Sequence, residues 1–150
     1  MTYPIGRVPA ATTKAEAQER RQVLIEALRS GKYPKTKGFL HLVPALDESV
    51  RSGYCCQGVA CELVYSPSVW VLVPTLNPDT KKRYAPGQGA DPHYWPNEVR
   101  LYYGLPVSVI LSDGIQRSVR EVIGIKNDDS ATFHPVVALL EALPYNDLLT

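Results

Sequence analysis

The segment Gly53-Tyr-Cys-Cys-Gln-Gly-Val-Ala-Cys-Glu-Leu-Val64 constrains this chain more than any other. Cys56, Val59, Ala60, Leu63 and Val64 stand at i, i+3, i+4, i+7 and i+8, the stripe of a helix with one apolar face. Gly58, Ala60 and Cys61 are small, so a neighbouring element can approach closely. The spacing predicts a tightly packed, buried helix around which the rest must be arranged.

Prolines limit what can surround it. Thirteen occur in 150 residues, above the usual ~5 %, and most fall where periodic segments stop. Short elements joined by stiff loops follow. Residues 1–12 have no period and read as an arm ordered by docking, ahead of a single globular domain over 13–150. Thr13-Lys-Ala-Glu16 is a capping-box pattern. Leu24, Ala27 and Leu28 follow on one face and Gly31 suits the position past the end, giving a helix over 13–30 with a basic patch at Arg20 and Arg21. Residues 32–42 are turn-rich and end in a short strand.

Farther on, 69–74 is β-rich, 77–80 is a turn, and 81–85 pairs back as a hairpin. Residues 86–92 form a Gly/Pro loop. A short helix spans 95–104, with Pro96 in its first turn and Gly104 as its cap. Strands over 107–111 and 115–125 flank Ser112-Asp-Gly114. Asn127-Asp-Asp-Ser130 is a turn, and Thr132 caps a last helix with Phe133, Val136, Val137 and Leu140 inside. Pro144 stops it. The expected class is α+β, with three or four helices on a small antiparallel sheet made from 69–85 and 107–125. The expected core is Leu24, Leu28, Cys56, Val59, Leu63, Val71, Leu101, Val109, Val122, Phe133, Val137 and Leu140.

Charge excludes some partners. Sixteen basic residues against 15 acidic give a formal charge of +1, so no global field draws the chain to nucleic acid or an acidic membrane. No apolar run nears the ~18 residues of a membrane span, and the first residues lack the apolar core of a signal peptide. Three clustered cysteines do not make a disulfide framework, and a reduced, cytoplasmic setting is expected.

Chemistry-bearing clusters are few. Cys55, Cys56 and Cys61 lack the paired spacing of a zinc site and read as small buried apolar residues; Cys55 is the candidate if any thiol reacts. Lys35, Lys37 and Gly38 follow the first helix and could hold an anion, or form a solvated loop. Gly87 and Gly89 could offer backbone N–H groups to a phosphate, with Tyr94 and Trp95 covering a planar ligand. Asn127 and Asp128 could read a polar ligand, or form an Asx turn. No triad, metal motif or paired-carboxylate signature is present, so no catalytic residue, metal or cofactor is assigned.

Taken in order, Leu24-Ile-Glu-Ala-Leu-Arg-Ser-Gly-Lys-Tyr33, Lys37-Gly-Phe-Leu40, Tyr54-Cys-Cys-Gln-Gly-Val-Ala-Cys-Glu-Leu63, Pro96-Asn-Glu-Val-Arg-Leu-Tyr-Tyr-Gly-Leu105 and Asn127-Asp-Asp-Ser130 with Thr132-Phe133 resemble a family of small, mostly uncharacterised tailed-phage and prophage proteins. Its pattern includes a "CCLGVLCDL" helix and a terminal "NDSG…F" helix. Gln57, where that family has an aliphatic residue, and Ala131, where it has glycine, depart from it. The resemblance implies a phage accessory protein in the host cytoplasm. Three readings follow. The first is binding and modulation of a host protein, for which tyrosine and tryptophan are favoured anchors; a homo-oligomer is compatible with it. The alternative is non-enzymatic sequestration of a small anionic nucleotide-like ligand, an analogy with phage proteins that sequester nucleotide signals of host immunity. The third is a hydrolase or transferase with a dispersed site using Asp128, Asp129 or His134.

Overall fold

The computed structural model describes residues 2–44, 53–73, 81–147 and 149. Among them are five α-helices and two antiparallel sheets, an α+β fold. Helix α1 spans Lys14–Arg29. The Thr13 hydroxyl accepts from the Glu16 amide, and the Glu16 carboxylate accepts from the amide of Thr12 rather than that of Thr13. Strands β1 (His41–Pro44) and β2 (Gly53–Tyr54) precede α2, Cys56–Val64. Strands β3 (Trp70–Val73) and β4 (Lys81–Pro86) follow, then α3 (Asn97–Tyr102), β5 (Ser108–Ile110), β6 (Gln116–Ser118), α4 (Val119–Asp128) and α5 (His134–Ala142).

The expected β3–β4 hairpin is present, with Val71 opposite Ala85. Its expected turn at 77–80 lies outside the described residues. Sheet order is β2-β1-β4-β3, so β1 joins two hairpins through β4, His41 opposite Tyr84. Strands β5 and β6 form a separate ribbon. The single sheet expected from 69–85 and 107–125 is therefore two.

The strand expected over 115–125 stops at Ser118, and the next ten residues are α4. Val119, Val122, Ile123 and Asn127 are buried at i, i+3, i+4 and i+8, a helical period. The β-branched side chains of Val119, Val122 and Ile123 favour strands only where packing does not decide otherwise. The turn expected at Asn127 is accordingly the last turn of α4. The final helix begins one residue later than expected: Thr132 still contributes, its hydroxyl accepting from the His134 amide at 3.4 Å.

Helix α2 lies against α1, α3 and α4, and α5 against α1 and α4. The core is thus mainly helix on helix, with the sheets at its margin. Of the twelve expected core residues, Leu63, Val71, Leu101 and Val109 are only half-buried and the other eight are buried. Three of these four sit on short elements that reach the core edge. Close approach at Gly58 is severe: a Cβ there would stand 1.7 Å from the Leu40 carbonyl oxygen. Gly104, at φ +64, ends α3 where a side chain would also strike Ala17.

Residues 2–11 dock rather than trail. The amide of Tyr3 donates to the Val64 carbonyl, that of Gly6 to the Glu98 carboxylate, and that of Ala11 to the Leu101 carbonyl. The basic patch expected on α1 does not exist as such. Arg21 is 4 % exposed and donates to the carbonyls of Tyr103, Gly104, Leu143 and Pro144, with Tyr145 packed on its guanidinium. Carbonyl dipoles stand where a carboxylate would be expected for a buried cation.

Candidate functional site

Four segments meet at one end of α4. The Asn127 side chain is completely buried. Its oxygen accepts from the Cys56 amide at the start of α2, and its nitrogen donates to Thr36 O and to Asp128 Oδ1. The Lys35 ammonium donates to the carbonyls of Asn127 and Ser130 at 2.5 and 2.6 Å, neutralising the negative end of α4. Asp128 Oδ1 also accepts from the Gly38 amide at 3.0 Å, and His93 Nδ1 donates to the Gly38 carbonyl. Gln57, the departure inside α2, is 1 % exposed; its amide group accepts from Trp95 N and donates to the Arg120 carbonyl. An aliphatic residue could not tie those two segments to α2.

These ties leave a cleft of about 330 Å³ bordered by Gly38, Cys55, Cys56, Gln57, His93, Tyr94, Gly124, Ile125, Asn127 and Asp128. That is at the small end of ligand sites. Its uncommitted groups are the second carboxylate oxygen of Asp128, Nε2 of His93, and the hydroxyl of Tyr94. The Arg120 guanidinium lies over the Tyr94 ring at 5.0 Å.

Thiol chemistry is disfavoured here. All three cysteines are free and buried. Burial pushes the Cys55 thiol up to about 11 and raises Cys56 and Cys61 as well. The Cys55 sulfur instead caps α2, accepting from the Gly58 amide at 3.4 Å. Burial also lowers the Lys35 pKa, with neighbouring Lys37 adding to the effect.

Of the nine ligand-binding candidates, the cleft gathers Gly38, Tyr94, Asn127 and Asp128. Three of the nine are engaged inside the protein, the Asn127 amide and the Lys35 ammonium by hydrogen bonds to internal partners and Trp95 by packing. Trp95 is 2 % exposed and stacks on Tyr103 in the core, so its ring cannot cover a ligand in the cleft. Lys37 is exposed. Gly87 and Gly89 are outside the cleft lining; the Ile5 side chain sits 3.4 Å from where a Gly87 Cβ would stand. Asp128, Asp129 and His134 do not gather: Asp129 is exposed, and His134 borders a separate hollow with Tyr33, Lys35 and Thr132.

Sequence reasoning missed Gln57, His93, Gly124 and Arg120. Once 119–128 is a helix, Arg120, Gly124 and Asp128 fall at i, i+4 and i+8 on one face. Reading that segment as a strand hid them.

Among the described residues no group of three or more His, Cys, Asp or Glu is placed to hold a metal. None of the described helices is long and apolar enough to cross a membrane. Comparisons with protein-family models, curated proteins and solved structures find no match.

Proposed function

We propose that this chain binds a small anionic, nucleotide-like ligand in the α4 cleft without turning it over. The observation carrying the reading is that Tyr94 and Asp128, 34 positions apart in the sequence, border one cleft, where the Tyr94 hydroxyl and one Asp128 carboxylate oxygen have no protein partner. Tyr94 offers a ring edge and hydroxyl, and Asp128 accepts N–H donors from a base edge. Lys37 beside Gly38 and Arg120 beyond Tyr94 supply positive charge. In a phage accessory protein, such binding acts by sequestration. The test is calorimetry of the full chain against a panel of mono- and dinucleotides, repeated with Asp128→Asn and Tyr94→Ala. Asparagine keeps the acceptor for Gly38 while removing the charge. Saturable binding that weakens tenfold or more in both variants supports the reading; a panel without binding, or unchanged affinity in both, overturns it.

A second reading, binding of a host protein, draws on the β5–β6 ribbon. Val107, Ile110 and Ile115, on or beside it, are 65 %, 71 % and 53 % exposed, and exposed apolar side chains of this kind suit a protein partner. Its test is reconstitution with a purified partner identified by capture, comparing the unaltered chain with Ile110→Lys. Equal binding by both removes this surface from consideration.

A further inference from the structure

One glycine organises the polar groups of the α4 cleft. Gly38 takes a φ of +78°, which glycine adopts without strain. Its amide donates to Asp128 Oδ1, and its carbonyl accepts from His93 Nδ1. Gly38 thereby anchors two side chains that border the cleft. Asn127 Nδ2 donates to the same Asp128 oxygen. The other oxygen, Oδ2, has no partner among the described residues. A carbonyl can only accept, so His93 Nδ1 carries the hydrogen. The neutral ring then presents Nε2 as an acceptor.

The remaining side-chain nitrogens of the lining are engaged inside the protein. Gln57 Nε2 donates to the Arg120 carbonyl, and Asn127 Nδ2 to the Thr36 carbonyl and to Asp128. The Cys56 amide is taken by Asn127. Among the described residues of the lining, Asp128 is the one charged side chain. The free groups are a carboxylate oxygen, an imidazole nitrogen and the Tyr94 hydroxyl, which serves either way. A ligand complementary to them brings two donors side by side.

Bases differ in this respect. Adenine sets the acceptor N1 beside its amino group. Cytosine sets N3 beside its amino group, and uracil flanks its one N–H with carbonyls. Guanine alone among them carries a ring N–H next to an amino group, at N1 and C2. An acceptor set against another acceptor leaves both unsatisfied, which costs free energy in a desolvated site.

We infer that the cleft selects guanine, with Asp128 Oδ2 and His93 Nε2 together accepting from N1–H and the 2-amino group. The inference rests on the nucleotide reading above and names its base. Phosphates then lie at the rim, where Lys37 and Arg120 are exposed.

The experiment is calorimetry of the full chain with guanosine, inosine and adenosine monophosphates. Guanosine monophosphate should bind about tenfold or more tighter than either analogue. Inosine lacks the amino group, and adenosine has an acceptor at N1. Asp128→Asn keeps an oxygen for the Gly38 amide and turns the free position into a donor. The guanosine-to-adenosine affinity ratio should then fall by about tenfold. His93→Phe, which keeps a ring against Phe39, should lower the same ratio and is decisive where the asparagine variant binds too weakly to measure. Equal affinity for guanosine and either analogue, or a ratio unmoved in both variants, overturns the guanine assignment and leaves nucleotide binding in place. No binding by any of the three overturns it as well, and the wider panel then decides the nucleotide reading by itself.

Discussion

The side-chain oxygen of Asn127, in the last turn of α4, accepts the Cys56 amide hydrogen at the first turn of α2 at 3.0 Å. One asparagine thereby joins the end of one helix to the start of another, and with Lys35 it fixes one wall of the cleft. Replacing it with leucine strands the Cys56 amide and the Thr36 carbonyl away from water. At 1–3 kcal/mol for each stranded group, Asn127→Leu should lose about 3 kcal/mol. Urea unfolding, with an unchanged m-value, measures it.

Gly58 has no room for a methyl group beside Leu40. The obstacle is backbone, which cannot rotate away as a side chain would. Gly58→Ala should therefore destabilise by about 3 kcal/mol, against the gain in helix propensity that alanine normally brings. Thermal unfolding of the variant beside Ala60→Gly, which creates no clash, isolates the steric cost.

His41 should make stability depend on pH. Its ring stacks on Tyr54 at 4.2 Å and meets Trp70 and Tyr84, with neither nitrogen hydrogen-bonded. Burial lowers its pKa to about 4. The unfolded chain, with an ordinary value near 6.5, takes up the proton first as the solution is acidified. Stability from this group is complete above pH ~6.5 and falls as pH drops through ~4, by up to about 3 kcal/mol. His41→Phe should flatten that part of the curve; identical pH profiles for the two proteins would rule the assignment out.

The cysteines should be inert while the chain is folded. With thiols raised by burial and Cys55 engaged as a helix cap, a thiol reagent at pH 8 should react with fewer than one equivalent in buffer and three in denaturant. Rapid modification of Cys55 in buffer would return thiol chemistry to the cleft.

The helices were legible wherever local signals agreed. Thr13 and Gly31 bracket α1, and the stripe through Cys56 and Val64 marks α2. Residues 119–128 were not, because Val119, Val122, Ile123 and Ile125 have the composition of a strand, while the buried positions 119, 122, 123 and 127 have the period of a helix. Composition carried the expectation and packing decided the outcome. The site was half legible for a related reason. Tyr94 and Asp128 are recognisable as residue types that bind, whereas the internal duties of Lys35, Asn127 and Trp95 depend on contacts with segments far away in sequence. Gln57 was visible as an oddity, and its partners, Trp95 and Arg120, lie 38 and 63 positions away.

Arg21 also bears on the order in which the chain can mature. Its charge belongs to α1, and the carbonyls that surround it come from residues 103, 104, 143 and 144. During synthesis α1 precedes all of them: the first of these carbonyls follows Arg21 by 82 positions and the last by 123. Helix α1 can close onto its neighbours at full strength only after Pro144 has left the ribosome. Consolidation of α1 therefore waits on residues 143 and 144, and any product stopped before residue 143 carries an arginine on the face that should be sealed.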